Sequence, residues 1–182
     1  MKTNKAPSST LQVADHAEPL LAGCRQCLDQ CQELLQLVDA ELFEQADADC
    51  SSIGAHFRHV LDRFQSFFNG LQSGCIDYDA RRRDASVEAN LDAASFALTT
   101  TVRRMGELSG DALQGRIIQI SESVHAETPP ACLDSTIERE LMALITHTTH
   151  HLALIAVLLR NQGLALDARF GKAPSTIRHE QS

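Results

Sequence analysis

The sequence is short of positive charge. Its 16 Lys and Arg stand against 24 Asp and Glu, giving a formal net charge of −8 and a pI near 5.4. A chain of that sign repels phosphate backbones, so nucleic acid is not expected as a partner. The one dense basic cluster, Arg81-Arg82-Arg83, is three residues long. Long apolar runs are also missing. None reaches the ~18 residues that mark a spanning helix, so no membrane association is expected. The first ten residues, MKTNKAPSST, carry two lysines with no apolar segment behind them, and no secretory leader is expected. These absences point to a soluble, cytoplasmic protein. Its six cysteines are then expected as reduced thiols rather than a disulfide framework. There is no internal repeat, low-complexity segment or sign of a second domain.

What is present is a globular composition, 43% hydrophobic over 182 residues, enough for one domain with a real core. Leu20, Cys24, Cys27, Leu28, Cys31, Leu34, Leu35, Val38 and Leu42 recur at steps of three and four, which predicts one helix over 11–45. After a polar break at 46–50, Ser51 or Ser52 can cap a second helix over 53–71. Its stripe is Ile53, Phe57, Val60, Leu61, Phe64, Phe67, Phe68 and Leu71, and Gly70 and Gly74 are expected to end it. The segment CIDYDARRRD at 75–84 reads as a loop, with Ser86 capping a third helix over 86–108. RIIQISES at 116–123 alternates apolar and polar residues and reads as a strand, with a turn at Thr128-Pro129-Pro130. A fourth helix is expected from Asp134-Ser135 to Asn161 or Gln162, stopped by Gly163, and then a loop-like tail around Gly171 and Pro174. Four long helices predict an all-α fold, a four-helix bundle with room for a small β-hairpin between helices three and four. Residues 1–10 are expected as a flexible N-terminus and 11–178 as the bundle domain.

The segment THTTHHLALI at 146–155 sets three histidines at the head of an aliphatic run. His147 and His151 are four residues apart, so their Cβ atoms lie ~5–6 Å from one another on one helix face. Two imidazoles so placed can bind one ion from adjacent coordination positions. Leu144, Leu154 and Leu158 extend the same face, so the pair is expected to look into the bundle. A buried imidazole there needs a hydrogen-bond or metal partner; the plain alternative is a surface pair. His150 points to another side, as a group behind a ligand or facing the substrate, a surface residue or an alternative ligand. A third ligand has to come from another helix, and HFRH at 56–59 offers two histidines. Periodicity puts His56 nearer the centre of its stripe and His59 at the edge, which favours His56 as the inward residue.

SIGAHFRHVLDRF at 52–64 and HTTHH at 147–151, together with YDARRRD at 78–84 and FGKAPST at 170–176, resemble the DinB/YfiT-like superfamily. The resemblance extends over about 11–177. It implies a four-helix bundle in which three histidines hold a divalent metal, one from the second helix and two from an HxxxH pair on the last. By position these are His59, His147 and His151, and His56 then becomes a group that touches a ligand or the substrate. Three neutral histidines leave positions open on an ion, as in catalytic sites. The resemblance further implies a metal-dependent enzyme acting on a small molecule, thiol transferase-like or hydrolase-like, with a low-molecular-weight thiol as the partner and a homodimer as the assembly. Zinc or nickel is expected; iron and manganese also suit such ligands. The alternative is a non-enzymatic metal-binding or stress-associated bundle, with His56 or His150 as a fourth ligand.

Other residues admit two readings. Cys24, Cys27 and Cys31 form CxxCxxxC, a metal or redox pattern, yet they lie on the apolar stripe of the first helix. Buried free cysteine packs as a small hydrophobe, and a redox CxxC needs a βαβ setting that is missing, so the packing reading is preferred. Arg81, Arg82 or Arg83 can meet an anionic substrate, but the adjacent Asp77, Asp79, Asp84 and Glu88 favour ion pairs within the loop. Glu140 lies two turns before His147 and can orient a ligand or act as a base, although a helix-surface glutamate is the commoner case. Lys172 is a candidate anion contact.

Overall fold

The first apolar stripe folds as α1, Ala17–Leu37, and stops at Val38, whose backbone is extended. Asp39 then accepts a hydrogen bond from the Leu42 amide and starts a short α2, Ala40–Glu44. The single helix expected to residue 45 is therefore two, because the Asp39 carboxylate offers the backbone a cap in place of helix continuation. The computed structural model describes residues 16–46 and 51–182. The expected loose terminus at 1–10, the first turn of the expected first helix and most of the break at 46–50 lie outside the described residues.

The second stripe forms α3, Ile53–Ser73, with Ser52 accepting from the Ala55 amide at 3.0 Å. Gly74 ends it in the left-handed region at φ 84, a conformation that suits glycine. Gly70 does not end the helix. It is buried, and a Cβ there would run into Ile76 of β1, Cys75–Asp77. That strand lies where a loop was expected. The third helix is broken. Asp84, not Ser86, caps α4, Ala85–Ala89, and Asn90 turns extended and caps α5, Leu91–Gly106, by accepting from the Ala93 amide. A short α6, Gly110–Leu113, leads to the hairpin of β2, Ile117–Glu122, and β3, Ala131–Thr136. Asp134 and Ser135 belong to β3, and Thr136 caps α7, Ile137–Asn161. The tail holds a further helix, α8, Pro174–Glu180, with proline in its first turn, where its missing amide costs no hydrogen bond.

α1, α3, α5 and α7 form a closed ring in which α1 and α3 each pack against α5 and α7. The core between them includes Leu21, Leu28, Leu34, Phe57, Phe64, Phe67, Met105, Leu141 and Leu144, all essentially inaccessible to solvent. The sheet has the order β1-β2-β3, with β1 parallel to β2 and β2 antiparallel to β3. β1 leaves the end of α3 and β3 leads into the start of α7, so the sheet fixes those two ends side by side. Counted from there at 1.5 Å per residue, His59 lies about 21 Å up α3, and His147 and His151 about 15–21 Å up α7. The sheet thus sets the register that brings the histidines level.

α7 is long and apolar enough, by length and composition, to cross a membrane, where no such segment was expected. In this structure its apolar residues Ile137, Leu141, Leu144, Leu152, Ile155 and Leu159 are buried in the bundle.

Candidate metal centre

His59 projects from α3, and His147 and His151 from α7. Their ring centroids form a nearly equilateral triangle with sides of 4.8, 4.7 and 4.6 Å. One nitrogen from each lies within 4.8 Å of the others. All three rings are half-buried. Burial first, then the Arg81, Arg63 and Arg58 guanidiniums and His56, hold the His59 pKa down at about 4. Burial first, then Arg63 and the neighbouring histidines, brings His147 to about 3. Burial, followed by His59, His56 and His150, brings His151 to about 4. At neutral pH the cluster is three uncharged imidazoles, the form that ligates metal.

The Nε2 of His147 is buried and has no hydrogen-bond partner among the described residues. A desolvated polar atom without a partner is costly, and of the six such atoms among the described residues this is the one imidazole nitrogen. A shared ion would satisfy it, and three imidazole nitrogens are a donor set that zinc, nickel and related ions accept. The residues fit a metal.

The choice between the two histidines of α3 resolves in space. His59 joins the triangle. His56 stands behind His151, their Nδ1 atoms 3.0 Å apart, an arrangement that fixes the His151 ring. His150 is exposed beside the His151 ring, with centroids 5.2 Å apart. Leu144 is buried as expected, but Leu154 is exposed, so the apolar face thins beyond His151.

Three further expectations change. Glu140 is not a surface residue. It is 4% exposed and accepts hydrogen bonds from Tyr78 Oη and Ser135 Oγ, each at 2.6 Å. It lies about 10 Å along the helix axis from His147, so it anchors the 78–84 loop to α7 rather than orienting a ligand. Arg81 makes no ion pair with the acids of its loop; its Nη1 lies 2.6 Å from His59 Nδ1. Lys172 is taken by Glu180 at 2.7 Å. Sequence reasoning also missed Arg63 and Tyr78. Arg63 stacks 3.7 Å from the Tyr78 ring centroid and pairs with Glu122. Its place four residues after His59 was an available signal that it shares that face.

The three cysteines of α1 are not part of this cluster. Cys24, Cys27 and Cys31 are buried on α1, and burial raises all three thiols, Cys27 to about 11. Cys24 donates to the Leu141 carbonyl of α7 at 3.6 Å and Cys27 to that of Ile145 at 4.0 Å.

No family model matches the sequence. Among curated proteins, FK506-binding protein 5 of Rhizopus delemar is 27% identical over 104 residues, which are 57% of this chain and 27% of that protein. The chain thus corresponds to only about a quarter of that relative's length. Among solved structures, a DinB-like protein from Bacillus cereus superposes with a TM-score of 0.50 at 18% identity, covering 83% of this chain and 95% of the other. At that identity the likeness is one of fold: this chain folds as a DinB-like helical bundle with a small sheet at one end.

Proposed function

We propose that the chain is a metalloprotein in which His59, His147 and His151 hold one divalent ion, and that this centre serves an enzyme acting on a small molecule. The observation that carries the reading is the partnerless buried Nε2 of His147 inside a triangle of neutral imidazoles. Zinc or nickel is the expected ion, with iron and manganese as chemically acceptable substitutes. A divalent ion there supplies Lewis acidity and lowers the pKa of a thiol or water that reaches it. The chain's own residues do the rest. His56 fixes the His151 ring, and Arg58, Arg63 and Arg81 add a positive field that favours a thiolate over a thiol. Transfer to or from a low-molecular-weight thiol is the leading chemistry, supported by the sequence resemblance, ahead of hydrolysis. The reading includes a cytoplasmic location and a homodimer; sedimentation of the purified protein tests the homodimer.

A second reading draws on the position of His56. If it left His151 and joined the ion, four histidines would close the centre, as in structural sites. Cobalt-loaded protein titrated with glutathione and with cysteine separates the two. The enzyme reading expects a saturable thiolate-to-cobalt absorption band in the near ultraviolet. A cobalt spectrum that neither thiol changes favours the closed centre and contradicts the thiol chemistry.

A further inference from the structure

Arg81 is an unusual arginine for its surroundings. Arg58 is paired with Glu88 at 2.9 Å, and Arg63 with Glu122. Arg81 has no carboxylate within ion-pair distance among the described residues, and this sets it apart; its Nε is buried without a hydrogen-bond partner, as is that of Arg63. Its loop is fixed, not trailing. Tyr78 is tied to Glu140, Asp79 Oδ2 accepts from the Ser123 amide at 2.7 Å, and Asp77 Oδ1 accepts from the amides of Asp79 and Ala80. The fold therefore holds an unpaired guanidinium against His59.

A guanidinium has donors and no acceptor, so its contact with Nδ1 uses the lone pair of that nitrogen. A lone pair taken by Arg81 is closed to an ion. An ion at Nε2 instead would leave an N–H at Nδ1 facing the N–H of Arg81. Either way, metal loading and the Arg81–His59 contact exclude one another. Asp62 and Asp79 lie near enough to attract it, but Asp62 sits 3.8 Å from Arg58 and Asp79 accepts from the Ser123 amide. The displaced side chain is a planar fork beside the centre, the geometry that binds a carboxylate through two parallel hydrogen bonds.

We propose that Arg81 is the specificity residue of this centre: it yields the His59 nitrogen to the ion and then holds the carboxylate of an anionic substrate. This inference rests on the metal-centre reading. Because linkage is reciprocal, carboxylate and ion then strengthen one another's binding through Arg81.

The test is zinc affinity, read by competition with a chromophoric chelator, for the full-length wild type, Arg81→Met and Arg81→Lys, with acetate, with neutral acetamide and with neither. Arg81→Met is expected to bind zinc about tenfold more tightly than wild type without acetate, since a charge-assisted hydrogen bond no longer competes for His59. Acetate, but not acetamide, tightens zinc binding to the wild type and leaves Arg81→Met unchanged. Arg81→Lys keeps the charge without the fork and loses most of the acetate effect. Equal zinc affinity in wild type and Arg81→Met, or an acetate effect that survives in Arg81→Met, overturns the inference while the metal centre stands. A wild type that takes up no zinc overturns the metal centre and this inference with it.

Discussion

Two inward-facing rows flank α7. On α1 stand Cys24, Cys27 and Cys31; on α3 stand His56 and His59. Both rows carry residues and spacings associated with metal or redox chemistry, and the same force acts on both. Desolvation favours the uncharged form of each side chain. For cysteine the uncharged form is the thiol, which is neither a metal ligand nor a nucleophile. For histidine it is the imidazole with a free lone pair, which is the ligand. Burial therefore turns the cysteine row into packing and readies the histidine row for an ion. The thiols of Cys24 and Cys27 also spend their protons on α7 carbonyls, whereas the His147 Nε2 is left without a partner.

The largest expected effect breaks the comparison by exchange of alanine on the two rows. His59→Ala should weaken zinc binding by more than the roughly 10–100-fold that a residue behind a ligand costs, and His56→Ala should fall within that range. Cys27→Ala should leave zinc affinity unchanged; calorimetric titration of the three variants checks this. Next, Cys31→Ser places a hydroxyl in the core and should cost about 1–3 kcal/mol in urea denaturation, with zinc stoichiometry intact.

The histidine cluster and the cysteine row should also act at opposite ends of the pH scale. His59, His147 and His151 have folded pKa values of about 4, 3 and 4, below the ordinary 6.5. Below pH 6.5 the unfolded chain binds more protons, so metal-free stability should fall as pH drops through that window. The cysteine thiols are raised above their ordinary 9.0. Above pH 9 the unfolded chain holds fewer protons, so stability should fall again as pH rises. Thermal melts across pH read both limbs. The smallest effect is kinetic: a thiol reagent should modify exposed Cys132 in the native protein and reach Cys24, Cys27 and Cys31 only on unfolding.

Much of this was legible in the sequence because it rests on periodicity. Stripes at three- and four-residue steps gave the four long helices, and alternation at 116–123 gave β2. The breaks were harder to read. Asp39 and Asn90 each interrupt a continuous stripe by capping a new helix, and a stripe does not register where the backbone stops to be capped. β1 is three residues long and exists through pairing with β2, some forty positions away. The HxxxH spacing pointed to His147 and His151, and the family resemblance to His59, while stripe geometry favoured His56 over His59. The structure reverses that order because the triangle sits at the edge of the α3–α7 contact, not at the centre of the core. The favoured readings of Arg81 and Glu140, ion pairs within the loop and a surface position, failed for a shared reason. Their partners, His59 and Tyr78, are distant in sequence, whereas the acids beside Arg81 are near only along the chain.

The most direct test is elemental analysis of untagged wild-type protein beside His147→Ala, each purified and then reconstituted with zinc, nickel, iron and manganese. About one equivalent of metal in the wild type, lost in the variant, is the result predicted by a single centre held by three imidazoles. Metal-free wild type after every reconstitution, or equal metal in both proteins, contradicts it.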